Sequence, residues 1–266
     1  MWINNLDPVL VHIGPLEIRY YGLVYVLGFI ATYVVYEYLR KKGTLKLEKE
    51  DTENLLLYMM IGTIIGSRLG EILWEPSYYL SNPLNIFKIW QGGMSFHGGL
   101  TGLIIANYLF AKKHNISFWS AGEPTIVVAT FALAFGRIAN FINGELWGTV
   151  TNVPWCVVFP AAGPECRHPV QIYGFIGRFI AGLILAYVYR KQIKEGFTFF
   201  MFLVLLGIGR FFTDFLREDS RWLGLSMGQY LSAIMFIVGV YFIFKYYKED
   251  VKNIFSKKSS NHATRS

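Results

Sequence analysis

Arg137, Asn140, Asn143 and Glu145 sit in the run Gly136-Arg137-Ile138-Ala139-Asn140-Phe141-Ile142-Asn143-Gly144-Glu145-Leu146-Trp147-Gly148, where a long apolar stretch ends. Arg137 and Asn140, three apart, share one face of a helix, and Asn143 carries that face a further turn. Such a polar face at the end of an apolar segment is costly unless something fills it. A second candidate is His97, framed as Gln91-Gly92-Gly93-Met94-Ser95-Phe96-His97-Gly98-Gly99-Leu100, whose glycines let another backbone or a bulky ligand come close. A third is Arg210, with Asp214 and Arg217 following at spacings of four and seven on one helix face. Arginine's planar fork suits a phosphate, which it binds through paired charge-assisted hydrogen bonds. Histidine, with an unperturbed pKa near ~6.5, can take a proton from an incoming nucleophile. Together these groups fit a site where a phospholipid headgroup is displaced. No His/Asp/Glu cluster has metal-ligand spacing, so neither a metal nor another cofactor is expected.

The elements that must position these residues are membrane spans. Of the 266 residues 53% are hydrophobic and 16% charged, against about 25% charged in soluble domains. Seven apolar runs have the length a bilayer needs: Tyr20–Leu39, Asn54–Trp74, Ser95–Ala111, Ala121–Ile142, Val170–Tyr189, Phe197–Leu216 and Met227–Phe244. Arg68 and Glu71 interrupt the second, and glycines crowd the start of the third. The fold expected is therefore an all-α integral membrane protein of seven transmembrane helices. A seven-helix membrane domain over residues 1–244 would carry a small irregular cap at about 143–169, followed by a basic tail over 245–266.

Loop charges give the orientation. Basic residues cluster after the first span (Arg40, Lys41, Lys42, Lys46, Lys49), the third (Lys112, Lys113) and the fifth (Arg190, Lys191, Lys194), and again in the tail. The opposite side holds only Arg19, Lys88, Arg167, Arg217 and Arg221. The positive-inside rule then places the N-terminus outside and the C-terminus in the cytoplasm. The net charge of +7 follows mostly from this bias and does not point to nucleic acid. The tail is expected near anionic headgroups and partly disordered. No cleavable signal peptide is evident, and no internal repeat or soluble domain is visible.

In this orientation polar groups from five spans gather in the outer half of the membrane. Ionisable residues within spans usually mark a functional site, but several have a plainer reading. Arg68 and Glu71 could be an ion pair holding two helices. Arg217 could snorkel to the surface, and Tyr20 and Tyr21 could be interface anchors. Arg178 lies among apolar residues and has no assigned partner. Cys156 and Cys166 could form a disulfide or remain thiols.

These residues fall into motifs that resemble the bacterial prolipoprotein diacylglyceryl transferases, in the family's order and over nearly the whole chain. Arg19-Tyr20-Tyr21-Gly22-Leu23 comes first, then Gly92-Gly93-Met94-Ser95-Phe96-His97-Gly98-Gly99 and Gly136 through Glu145. Arg167-His168-Pro169-Val170-Gln171-Ile172-Tyr173, Gly209-Arg210-Phe211 and Met227-Gly228-Gln229 follow. The resemblance implies a multi-pass enzyme of the bacterial inner membrane with its active site toward the outer leaflet. It would move the diacylglyceryl group of phosphatidylglycerol onto the lipobox cysteine thiol in a prolipoprotein signal peptide, forming a thioether and releasing glycerol phosphate. It also implies roles: Arg137 on the lipid phosphate, Arg210 as a second essential arginine and His97 as the base. Asn140, Glu145, Gly148 and Tyr21 would be supporting, substrate-binding residues.

The chain departs from the family pattern at Leu206, where tyrosine is frequent, and at Gly174 and Asp214, where glutamate is. Two other classes can be weighed. A small-solute transporter should show inverted repeats and broken helices near the midplane, and neither is visible. Other phospholipid headgroup enzymes would need acidic metal clusters or a histidine with nearby acids, which the spacing does not supply.

Overall fold

The computed structural model describes residues 2–14, 16–89, 92–191 and 193–255. Gln91 and the tail beyond residue 255, with Lys257, Lys258 and Arg265, lie outside the described residues. Strands β1 (Trp2–Ile3), β2 (Val9–Ile13) and β3 (Leu16–Arg19) precede α1 (Tyr20–Lys41), α2 (Lys49–Trp74) and a short α3 (Pro76–Ser81). Then come α4 (Phe96–Lys113), α5 (Phe118–Ile142), β4 (Val157–Val158), β5 (Cys166–Arg167), α6 (Val170–Arg190) and α7 (Phe197–Thr213). The chain ends through β6 (Arg221–Trp222), β7 (Leu225–Ser226), α8 (Met227–Tyr246) and α9 (Lys248–Phe255). The basic tail expected from residue 245 thus begins inside α8, and its first part is helical.

Among the described residues six helices are long and apolar enough to span a bilayer: α1, α2, α5, α6, α7 with the turn after it, and α8. The protein is a multi-pass helical membrane protein. Of the seven expected spans, the third corresponds to α4. That helix has 18 residues, opens on His97-Gly98-Gly99 and closes on Lys112-Lys113, so its apolar stretch is shorter than the others.

The chain divides into two compact units, Phe29–Thr125 and the remainder. In Phe29–Thr125 the main contact is α2 against α4, and its chemistry is glycine. A Cβ on Gly62 would come 2.6 Å from both Ala106 Cβ and the Gly102 carbonyl oxygen. A Cβ on Gly66 would strike the Gly98 carbonyl, and one on Gly70 would lie 2.8 Å from Gly98 Cα. Small residues every fourth position let two helix backbones touch, which drives packing where lipid removes the hydrophobic incentive. The glycines beside His97 therefore admit a neighbouring helix, one of the two occupants the sequence allowed.

Arg68 closes the same unit. Its guanidinium donates to the carbonyls of Ile86, Gly92 and Gly93 at 2.8 Å each and to that of Asn85, and it lies 4.9 Å from the Tyr79 ring centre. The arginine ties the α3–α4 connection to α2, and among the described residues no ion pair joins it to Glu71. At Gly93 (φ +71°) a Cβ would lie 2.8 Å from Arg68 Nη1, so glycine is required there on two counts.

In the other unit, α7 and α8 also pack closely, a Cβ on Gly207 falling 2.7 Å from the Ser232 carbonyl. Ser226 and Gln229 cap α8 reciprocally, at 3.1 and 2.9 Å, and Gln229 Nε2 donates to Phe211 O of α7 at 3.2 Å. Residues 143–169 are more ordered than an irregular cap. β4 pairs with β1 in parallel and with β5 antiparallel, and Cys156 is joined to Cys166 with Cα atoms 5.5 Å apart. The disulfide left open by the sequence is present.

Candidate active site

The end of α5, the start of α6 and the end of α7 meet in one unit and assemble a cationic cluster. Arg137, one and a half turns before the end of α5, lies within electrostatic reach of Arg210, Arg217, Asp214 and Tyr21. Among the described residues its guanidinium has no hydrogen-bond acceptor. Its side-chain stem crosses α6 at Gly174, where a Cβ would lie 3.5 Å from both Arg137 Cγ and Cδ. At that distance the stem rests in ordinary van der Waals contact with α6.

Arg210 Nε lies 3.3 Å from Asp214 Oδ2, with Asp214 buried and Arg210 half-exposed. The i,i+4 spacing read from the sequence is thus a real ion pair. Gly228 of α8 lies against that pair, where a Cβ would be 2.9 Å from Arg210 Nη2. Arg217 does not snorkel away. Its side chain is 17% exposed, with Nε 3.1 Å from Asp219 Oδ2, and its backbone bridges to Gly148.

The second half of the opening motif is a partly buried hydrogen-bonded turn. Glu145 Oε1 accepts from Asn140 Nδ2 at 2.7 Å and from Asn143 Nδ2 at 3.1 Å, while the Glu145 carbonyl accepts from Gln171 Nε2 at 2.7 Å. Gly144, at φ +66°, makes the reversal possible. The carboxylate is held by the two asparagines, a supporting geometry rather than that of a free acid. Gly148 is wedged between chains. A Cβ there would lie 2.7 Å from both His168 Cβ and the Leu216 carbonyl, and its N–H donates to His168 O at 3.0 Å. Arg167 locks the same region, donating to Gly148 O and Ala162 O at 3.2 Å and pairing with Glu218.

The structure therefore brings together Tyr21, Arg137 and Arg210, with Asn140, Glu145 and Gly148 forming the turn beyond Arg137. His97 belongs to the other unit, exposed on the first turn of α4 where Ser95 caps the helix. Two participants were not assigned from the sequence. Gln171 lies in the His-Pro motif but gave no sign of its hold on Glu145. Arg178 had no partner in sequence, and in the structure it lies within electrostatic reach of Arg137 and Arg210. Four guanidiniums near Asp214 and Asp219 leave excess positive charge inside a multi-pass helical membrane protein.

Comparison with known proteins makes the class specific. The model of the prolipoprotein diacylglyceryl transferase family matches residues 8–245. The phosphatidylglycerol–prolipoprotein diacylglyceryl transferase of Geobacter sulfurreducens is 42% identical over 247 residues, covering 90% of this chain and 95% of its own length. That of Aeromonas hydrophila is 41% identical over 255 residues, 93% of each chain, and that of Bordetella parapertussis 43% identical over 245 residues, 88% and 93%. The chain belongs to the prolipoprotein diacylglyceryl transferase family.

Proposed function

We propose that the protein transfers the diacylglyceryl group of phosphatidylglycerol to the lipobox cysteine thiol of prolipoproteins, the first step of bacterial lipoprotein maturation. The observation that carries this reading is Arg137. Its guanidinium lies beside Arg210 and Arg217 with no acceptor among the described residues, a cation that a lipid phosphate satisfies. The loop charges support seven spans, with α4 as the third, an outside N-terminus, a cytoplasmic C-terminus and a site toward the outer leaflet of the inner membrane.

The reaction exchanges one bond for another. The thiol, with an unperturbed pKa near ~8.5, gives its proton to His97. The thiolate attacks the glycerol C3 carbon of the lipid, and the sulfur–carbon bond forms as the carbon–oxygen bond to phosphorus breaks. The electron pair leaves on the phosphate oxygen, releasing glycerol phosphate. Arg137 and Arg210 neutralise charge growing on that oxygen, where a low dielectric makes each donor worth most. The Asn140–Glu145 turn and Gly148 fix the loop after Arg137, and Tyr21 borders the cluster. A transporter or another headgroup enzyme would not require a thiol acceptor. Incubating the purified protein with phosphatidylglycerol and a lipobox peptide should yield diacylglyceryl peptide and glycerol phosphate in equal amounts. Product from a peptide with serine in place of the cysteine would contradict the reading.

A further inference from the structure

The reaction as written uses neither Arg178 nor Arg217, and of these Arg217 is paired with Asp219. A shallow groove between α6 and α7 is lined by both Arg178 and Arg210, with Gly174, Gly177 and Thr213 among its polar and open walls and Leu206 among its apolar ones. Arg178 starts two turns below the beginning of α6, but helical side chains lean toward the helix N-terminus. Its Nη1 accordingly donates to Gly174 O, one turn higher, at 3.0 Å. The absent side chain at Gly174 is what admits it, since a Cβ there would be 2.7 Å from Nη1. The guanidinium is thereby lifted to the residue that Arg137's stem crosses.

Charge then decides what the pair wants. Arg210 is balanced by Asp214 and Arg217 by Asp219. Arg137 and Arg178 have no carboxylate partner among the described residues. A phosphodiester brings one negative charge, whereas a phosphate monoester carries about 1.5 to 2 at neutral pH. Two unbalanced cations match the monoester.

We propose that Arg178, beside Arg137 and facing the α6–α7 groove with Arg210, forms a phosphate-monoester site that holds the departing glycerol phosphate. This rests on the proposed transfer reaction. The shared chemistry is a phosphate group, which lipid and product both present, and the bond-breaking step needs no further reactant. Arg178 would strengthen its hold as the diester becomes a monoester, the differential binding that accelerates a step.

The test is calorimetric binding of free glycerol phosphate to the full chain in detergent, for the wild type, R178Q, R178K and G177D. Charge-assisted hydrogen bonds of this kind predict weakening by about ten- to hundred-fold in R178Q, with R178K retaining most of the affinity. G177D adds a carboxylate at a groove position where a Cβ meets nothing within 4 Å, so it tests the site without touching the arginine, and it too should weaken binding. In turnover, R178Q should raise the inhibition constant for glycerol phosphate by at least ten times more than it raises KM for phosphatidylglycerol. Unchanged affinity in R178Q and G177D overturns the proposal, and equal rises in the two kinetic constants overturn the monoester assignment. A wild type that binds glycerol phosphate through Arg178 but lipidates no peptide would sink the proposed reaction and leave this site standing.

Discussion

The Asn140 side-chain amide donates to the Glu145 carboxylate at 2.7 Å, so the motif's asparagine and glutamate are committed to each other. Removing the amide in N140A takes one of two donors from the partly buried Glu145 carboxylate, a charge-assisted hydrogen bond of about 1.5–3 kcal/mol. A lower melting temperature in detergent is expected, along with reduced transfer. N140D is expected to be worse at neutral pH, because two carboxylates then face each other. Activity should recover as pH falls through the carboxylate range and one oxygen gains a proton. A melt and a pH–rate profile of N140D check this.

Glycines of this chain are not equivalent. A Cβ on Gly102 would strike the Gly62 carbonyl oxygen and lie 3.0 Å from Gly66 Cα, whereas one on Gly136 meets nothing within 4 Å. G102A should therefore force α2 from α4 and cut the yield of folded protein, at about the 1–3 kcal/mol of overpacking. G136A should fold and turn over like the wild type, although Gly136 opens the signature motif. Size-exclusion profiles and melts of the two variants compare them directly.

His97 carries the proton step of the proposed reaction. H97Q should reduce turnover by about 10²–10⁴, the range of a positioned general base. Raising the pH, which supplies thiolate directly, should narrow the gap between H97Q and the wild type. Near-wild-type turnover of H97Q with a lipobox peptide at pH 7 would remove the base assignment.

What was legible in advance followed from the period of the chemistry. Long apolar runs marked the helices, and the three- and four-residue spacings in Arg137–Asn140 and Arg210–Asp214 marked shared faces, one of which is an ion pair in the structure. Contacts between distant segments were not legible. Arg68 gives its hydrogen bonds to backbone carbonyls, which every residue possesses and no motif announces. Arg178 becomes interpretable only when Gly174 and Arg137 are seen beside it. The glycines around His97 could have served a ligand or a helix, and only the packing of α2 against α4 identified the helix.

Arg137 is the centre of the account, and the direct measurement is glycerol phosphate release by the wild type and R137Q, with phosphatidylglycerol binding followed in parallel. R137Q should keep its melting temperature, lose about 10²–10³ in rate and bind phosphatidylglycerol more weakly. A folded R137Q that binds the lipid as tightly as the wild type and releases glycerol phosphate at the same rate would contradict it.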